Sequence, residues 1–388
     1  MYVLHHFMGS WKDRSGYPKM HILRKFQNWL FPPPPVGELA APEAQAVDPM
    51  TALYPVSVNH HGTVFTMMVN LVGHGDLQSH EDASAMLTRF GNWQAGMDNT
   101  MVPRAPVALV GALGKLSAEG VSPIFLDVGA GMGFYTVTAA MRGYRVVASE
   151  LAPRSLRALH ASLEENGVQD LVQVHNATVG AEVGVACVQP VGGALSVYGW
   201  RPEEIARGYG PPQLHARTAD SECDRAVRRL PMGALVPRGA RVGAVRVSAG
   251  AWTGDVVRGG LPLLQEHRPA ALLLEVDMAE MARIRSGGFE DVVRQLYDMG
   301  YANMGHAGSV CRQRFEIMVA TLQKRSTQGV LQTDIADLRQ PAWCDLSIDN
   351  LADVLEQNRR NGQDRVLDAT NAAGVELFLL QLNSTASM

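Results

Sequence analysis

The chain has 388 residues, of which 46% are hydrophobic and 19% charged, so it can bury at least one full core, and disorder throughout is excluded. Its 34 Lys and Arg residues against 38 Asp and Glu residues give a net charge of −4, and without an overall positive field we expect no nucleic-acid partner. The longest apolar stretches, around 105–113 and 270–276, are far shorter than the roughly 20 residues of a membrane-crossing helix, so we expect no transmembrane span.

The amino-terminal part divides into three segments. Residues 1–31 end in an amphipathic pattern over Lys19–Phe31, which predicts a helix that packs on its own domain or docks on a membrane surface or a partner. The Pro-rich segment 32–49 predicts an extended linker, and 50–102 an extension that forms either a lid or a separate small domain. Because no secretory signal pattern begins the sequence, we expect a cytoplasmic protein. The sequence does not indicate an oligomeric state.

The sequence shows no clear metal site. His5-His6 followed by Gly9-Ser10-Trp11 resembles the tail of the sugar-binding glycosyltransferases that carry a DXD motif, but no DXD-type metal site accompanies it. Two neighbouring His residues without other spaced ligands rarely close a metal site. The four cysteines are scattered without a Cys-x-x-Cys pair, so we expect thiols rather than a zinc site or a disulfide scaffold. We predict no bound metal.

Residues 103–325 show apolar runs alternating with longer mixed segments. This alternation predicts strand–helix units around a mostly parallel, doubly wound sheet, an α/β fold. The predicted strands are 124–128, 145–149, 171–175, 241–247 and 271–276, and the predicted helices are 134–142, 153–166, 259–267 and 289–299. The carboxy-terminal extension, 326–388, carries one predicted helix at 348–358 and one predicted strand at 375–382.

A glycine-rich turn follows the first predicted strand of this domain. It reads Asp127-Val-Gly129-Ala-Gly131-Met-Gly133 and precedes a predicted helix. Glycines at such a turn allow positive φ and let a ligand approach the main chain. The Gly-x-Gly-x-Gly spacing differs from the dinucleotide fingerprint, and a carboxylate at Asp127 would repel a pyrophosphate but could receive a cationic amino group. The turn therefore favours an aminoacyl-nucleoside ligand over a nicotinamide dinucleotide.

An acidic residue ends the next predicted strand. Glu150 lies about twenty residues after the turn, where a carboxylate can accept both ribose hydroxyls of a nucleoside. An acid at a strand end can also be merely solvated or serve as a helix cap. Together with Asp127 and the glycines, however, Glu150 predicts a nucleoside-cofactor site.

The stretch Phe125–Tyr135 resembles the S-adenosylmethionine-dependent methyltransferases, and more narrowly the FkbM-type family. The likeness extends over roughly Pro103–Leu322. It implies a Rossmann-like class I methyltransferase fold, S-adenosyl-L-methionine as cofactor, and O-methylation of a hydroxyl on a sugar or other small metabolite or glycan. It implies that the methionine moiety is held by Asp127, Gly129, Gly131 and Gly133. It implies that Glu150 holds the ribose and that Asn176 and Ala177 lie beside the adenine.

The chain departs from the family after the fourth strand. There the family places three carboxylates, and Ser248, Gly250 and Thr253 stand in their places. The remaining candidates for a general base are Asp255 and Glu275. We therefore keep a second reading, a degenerate domain that binds or interacts without catalysis, and a third, a nicotinamide-dependent oxidoreductase that the glycine spacing disfavours.

Overall fold

A computed structural model shows a central sheet with helices on both faces. It describes residues 53–60, 63–70, 104–151, 153–181, 183–188, 215–216, 225–277, 288–307, 344–357 and 375–382. All of them belong to one compact unit, Asp48–Met388. The predictions for the helix at 19–31 and the linker at 32–49 lie outside the described residues.

The described elements follow one another as strands and helices. The strands are β1 (Leu53–His60), β2 (Thr63–Asn70), β3 (Pro123–Val128), β4 (Arg145–Glu150), β5 (Val172–Asn176), β6 (Thr178–Val179), β7 (Gly184–Val188), β8 (His215–Ala216), β9 (Arg225–Leu230), β10 (Arg241–Ser248), β11 (Ala271–Asp277), β12 (Asn303–Ala307), β13 (Cys344–Leu346) and β14 (Val375–Gln381). The helices are α1 (Arg104–Ala118), α2 (Phe134–Ala140), α3 (Pro153–Glu165), α4 (Met232–Leu235), α5 (Thr253–His267), α6 (Phe289–Asp298) and α7 (351–357).

Eight of the described strands form the main sheet, in the order β13-β12-β14-β11-β10-β3-β4-β5. From β11 to β5 the strands are parallel, and counted along the chain they run 5-4-1-2-3. This is the doubly wound Rossmann-like order, so the α/β fold prediction is confirmed. Strand β14 departs from that order, because it lies antiparallel between β11 and β12.

Two apolar cores cover the two faces of the sheet, as a doubly wound fold requires. Buried side chains of α1, α2 and α3 pack on one face. Those of α4, α5, α6 and α7 pack on the other. The central strands are buried on both sides, and β3 and β10 are accordingly rich in apolar residues. Each strand therefore ends at an edge where only loops and polar side chains remain.

The described part of segment 50–102 is a hairpin of β1 and β2 that packs on α3 and α2. Its apolar side chains, among them Phe65 and Met67, join the core on that face. The Asn166 side chain pairs with both backbone groups of Thr66, donating to its carbonyl at 2.6 Å and accepting its N–H at 2.9 Å. The Ser162 hydroxyl accepts the N–H of Met68 at 2.8 Å. The hairpin is thus fixed to a helix through side chains.

Two further features differ from the sequence predictions. Four strands that follow β5 and precede β10 along the chain form a separate small sheet with the order β6-β9-β7-β8. No strands are predicted in this part of the sequence. Cys344 is disulfide-bonded, so the expectation of free thiols is wrong for this residue. Spacing along the sequence does not show which cysteines the fold brings together. Among the described residues, no helix is long and apolar enough to cross a membrane.

Candidate functional site

The glycine-rich turn lies at the carboxyl edge of the parallel strands. It leaves β3 and leads into α2, and its three glycines have φ values of 76°, 59° and 93° at Gly129, Gly131 and Gly133. The amides of Gly129 and Ala130 both donate to the Ser149 carbonyl on β4 at 2.9 Å. The positive φ values explain why glycine stands at these positions, since L side chains rarely adopt this conformation.

The three glycines differ in what surrounds them. A Cβ on Gly129 would collide with the backbone carbonyl of Ser248, and one on Gly133 would collide with the Leu159 side chain. A Cβ on Gly131 would meet no heavy atom within 4 Å. Gly129 and Gly133 are therefore required for close packing of the turn on its neighbours, whereas Gly131 faces open space.

Glu150 joins the end of β4 to this turn. One carboxylate oxygen accepts the N–H of Gly131 at 2.7 Å, and the other accepts the N–H of Leu151 at 2.8 Å. Both oxygens of the carboxylate therefore bind backbone amides of the chain. The structure thus brings together the acid and the glycine loop that the sequence places nineteen residues apart.

Asn176 and Ala177 continue the same edge beyond Glu150. Asn176 ends β5 directly opposite Glu150 in the strand register, and its side chain is exposed. Ala177 is buried, and its N–H donates to the His175 carbonyl at 3.0 Å. The amide side chain of Asn176 is therefore free to face a ligand at this edge, next to the carboxylate.

Asp127 is placed differently from the sequence expectation. Its carboxylate is fully buried, with one oxygen accepting from Arg246 at 2.7 Å and the other from the Thr136 hydroxyl at 2.6 Å. Both oxygens thus face protein groups rather than the open edge. The sequence prediction did not foresee these partners, and direct contact of Asp127 with a ligand stays a prediction.

Arg246 is a buried charged residue beside this turn that the sequence interpretation did not single out. It lies on β10 between Asp127 on β3 and Glu275 on β11, and it binds Glu275 through two parallel hydrogen bonds of 2.9 Å each. Its guanidinium also donates to the Gly129 carbonyl at 3.1 Å, and the centre of the Tyr135 ring lies 4.4 Å from the guanidinium carbon Cζ. Burial opposes the charged form, but Glu275 and Asp127 hold the pKa of Arg246 well above its ordinary value.

The positions that lack the family's acids have structural roles in this chain. Thr253 is fully buried, and its hydroxyl donates to the Glu275 carbonyl at 2.7 Å and accepts the Ala249 N–H at 3.1 Å. Gly250 has φ 55° and begins the short turn that leads into α5. Ser248 ends β10 with 9% of its surface exposed. These residues close the loop after β10 and leave it uncharged.

The two candidate bases are both engaged in ion pairs. Asp255 lies in the first turn of α5 and forms an exposed ion pair with Arg258. Glu275 is 2% exposed, and both of its oxygens bind Arg246. A role of either carboxylate as general base stays a prediction. Among the described residues, no cluster of three or more His, Cys, Asp or Glu could hold a metal ion.

Comparisons with known proteins give structural similarities alone. No family model and no curated protein matches the chain. A SAM-dependent methyltransferase from Geobacter sulfurreducens, solved with S-adenosyl-L-homocysteine, is 15% identical, with a TM-score of 0.32, and the alignment covers 74% of this chain and 93% of that one. The precorrin-6y C5,15-methyltransferase of Geobacter metallireducens is 12% identical, with a TM-score of 0.28 and coverages of 55% and 78%.

A third similar structure is that of an RNA methyltransferase. The 16S rRNA N2 G1207 methyltransferase of T. thermophilus, solved with AdoMet and guanosine, is 17% identical, with a TM-score of 0.27, and the alignment covers 57% of this chain and 42% of that one. The expectation that nucleic acid is no partner stays a prediction. The FkbM-type resemblance is not confirmed by any of these comparisons.

Proposed function

We propose that this protein is an S-adenosylmethionine-dependent methyltransferase that methylates a hydroxyl on a sugar or another small metabolite. One observation carries the proposal: the Glu150 carboxylate accepts the Gly131 N–H at 2.7 Å. This bond joins an acid suited to ribose hydroxyls with a loop suited to an aminoacyl group, at the edge of a doubly wound sheet where such folds bind nucleosides.

The residues at this edge fit the proposed cofactor. The space beside Gly131 is empty and would be filled by a Cβ, so a ligand can approach the backbone there. In this proposal Glu150 would accept ribose hydroxyls, since a carboxylate oxygen accepts more than one hydrogen bond, and the Asn176 amide, opposite it in the register, would read the edge of an adenine ring. When bound, S-adenosylmethionine would supply a methyl group on a cationic sulfur.

Asp127 contributes to this site through the loop. Because its carboxylate is buried against Arg246 and Thr136, we assign it to holding the turn rather than to direct contact with the amino group of the methionine moiety. Gly129 and Gly133 act in the same way, by allowing the turn to pack against β10 and α3.

Methyl transfer to oxygen needs an acceptor aligned with the sulfonium and relieved of its proton. Glu275 is bound to Arg246, and Asp255 pairs with Arg258 at the surface. This arrangement favours a second candidate function, a domain that binds the nucleoside without turnover and serves as an interaction module. Binding and catalysis must therefore be measured separately.

The test is calorimetric titration of the full chain with S-adenosylhomocysteine. We expect micromolar binding that Glu150→Ala reduces by roughly ten- to a hundredfold, the order expected when hydrogen bonds to a charged group are lost. Glu290→Ala is the matched control, since Glu290 pairs with Arg294 on the exposed face of α6. A folded wild type that does not bind S-adenosylhomocysteine would refute the proposal, and binding of a nicotinamide dinucleotide instead would favour the oxidoreductase.

A second measurement separates the enzyme from the binding module. Transfer of a labelled methyl group would be followed against a panel of sugars, other small hydroxyl compounds, glycans and RNA. Methylation of a small molecule or glycan supports the proposed substrate class, and methylation of RNA alone would overturn it. Cofactor binding with no transfer to any member of the panel favours the interaction module.

The predicted compartment conflicts with one observation. From the sequence we propose a cytoplasmic protein. Cys344 is disulfide-bonded, however, and such bonds are rare in the cytosol because thiols are kept reduced there. Mass spectrometry of the protein alkylated in intact cells tests this proposal directly. An alkylated Cys344 would agree with the cytoplasm, and an oxidised Cys344 would place the chain in an oxidising compartment.

A further inference from the structure

Arg246 is a charged residue between the apolar residues Val245 and Val247 of the central strand β10. Its neighbours along β10 are buried, and Arg246 itself is 3% exposed. Burying an unpaired guanidinium would cost several kcal/mol, so such a residue persists only where counter-charges are built around it. Asp127 and Glu275, on the strands at either side, supply them.

The guanidinium connects three strands with the glycine loop. Its NH1 group bonds both the Asp127 carboxylate, at the start of the loop, and the Gly129 carbonyl within it. Its other two nitrogens bind Glu275 on β11. The Arg246 side chain therefore joins the glycine loop to β11 through hydrogen bonds. The Tyr135 ring centre lies 4.4 Å from the guanidinium carbon.

We propose that Arg246 is a positioning residue that holds the glycine loop in the shape needed to bind the amino-acid half of the nucleoside ligand. The inference rests on the proposed function. Lysine could keep the charge, but a single ammonium cannot form the paired bonds to Glu275 while also reaching Asp127 and Gly129. Arg246 does not touch the open edge, so its effect on a ligand passes through the loop.

The experiment compares two ligands on the full chain. S-Adenosylhomocysteine carries the amino-acid half, and 5′-methylthioadenosine carries the same nucleoside without it. For Arg246→Lys we expect the affinity for S-adenosylhomocysteine to fall about tenfold, the order expected for one lost hydrogen bond to a charged group, while the affinity for methylthioadenosine changes less than about threefold. The ratio of the two affinities is the readout, because general destabilisation would lower both alike.

A matched control and a second variant complete the design. Arg294→Lys makes the same change in the exposed pair with Glu290 and should leave the ratio unchanged. Glu275→Gln keeps the shape of the Arg246 partner but removes its charge, and it should shift the ratio in the same direction as Arg246→Lys. If Arg246→Lys does not fold, the ratio measured on Glu275→Gln decides.

The outcomes separate the two proposals. If the wild type binds S-adenosylhomocysteine and the variants lower both affinities equally, or neither, the role of Arg246 is overturned and the proposed function stands. If the folded wild type does not bind S-adenosylhomocysteine at all, the proposed function and this inference fall together. A selective loss for S-adenosylhomocysteine supports both.

Discussion

Replacing Gly131 with Ala should separate ligand binding from folding at the glycine loop. The added Cβ meets no heavy atom within 4 Å, so the substitution causes no clash. It does place Ala at φ 59°, which costs roughly 1–2 kcal/mol for a left-handed L residue, partly offset by about 0.4–1 kcal/mol from the less flexible unfolded chain. We expect a net loss of about 1 kcal/mol in the free energy of unfolding.

The same methyl group would occupy the space in which the ligand approaches the loop. Overpacking a close contact costs about 1–3 kcal/mol, so the affinity for S-adenosylhomocysteine should fall roughly five- to a hundredfold. Gly120→Ala is the matched control, because Gly120 also has positive φ, at 81°, and open space, but it precedes β3 at the opposite edge of the sheet. The control should lose similar stability and no affinity.

Denaturant unfolding and calorimetric titration measure the two effects on the same preparations. Gly129→Ala completes the series, since its Cβ would collide with the Ser248 carbonyl and should prevent the native fold. Two results would refute the reasoning. One is unchanged ligand affinity in Gly131→Ala, which would show that the open space is not the ligand's path, and the other is a stable, folded Gly129→Ala.

Two further predictions concern stability. Gly259→Ala in α5 should lower the free energy of unfolding by about 1–3 kcal/mol, because the added Cβ would lie 2.6 Å from the Ala181 Cα. Gly111→Ala in α1 has open space around the added Cβ and should raise the free energy of unfolding by up to about 1 kcal/mol. Equal effects of the two substitutions in urea unfolding would contradict this. Burial lowers the pKa of His267, whose Nδ1 accepts the Val242 N–H at 3.3 Å, so the unfolded state takes up the proton first and stability should fall as pH drops below about 7. His267→Asn, which does not titrate, should show a smaller fall between pH 7 and 5, and an identical pH profile would refute the assignment.

The central parallel strands β3, β4, β10 and β11 could be predicted because each contains a short, mostly apolar run. Val128, Glu150 and Ser248 end three of them, within a residue of the predicted boundaries. A strand buried on both faces needs such a run whatever its partners are, so the signal is local. The last strand, Val375–Gln381, was predictable for the same reason, but its antiparallel place between β11 and β12 was not.

The elements that the sequence did not predict depend on distant partners. Strands β1 and β2 pair with each other, and β2 is held by the Asn166 side chain, which binds Thr66 from about a hundred residues away. The short strands of the small sheet, such as Thr178–Val179, gain their hydrogen bonds from Arg225–Leu230. Two or three residues carry no readable periodicity, so the contact that makes them strands has no signal in the sequence around them.

The sequence predicted that Glu150 and the glycine turn lie together, but it did not predict the partners of Asp127. The bond between Glu150 and Gly131 agrees with the expected constellation, whereas the partners of Asp127 were unforeseen. A signal for them does exist. Arg246 stands inside an apolar run, and a charge in a buried strand needs opposite charges on the adjacent strands, which points to Asp127 and Glu275.

The position of β14 has a consequence for the order in which the sheet can form during synthesis. Strand β12 pairs with β14 and β13, and its connection to the parallel strands runs through β14. About 70 residues separate β12 from β14, and a ribosome adding roughly 5–20 residues per second needs several seconds to make them. During that interval, the backbone groups of β11 and β12 that bond to β14 in the folded protein have no β14 to pair with. A nascent chain of this protein therefore offers an unpaired sheet edge to chaperones until one of its last strands emerges.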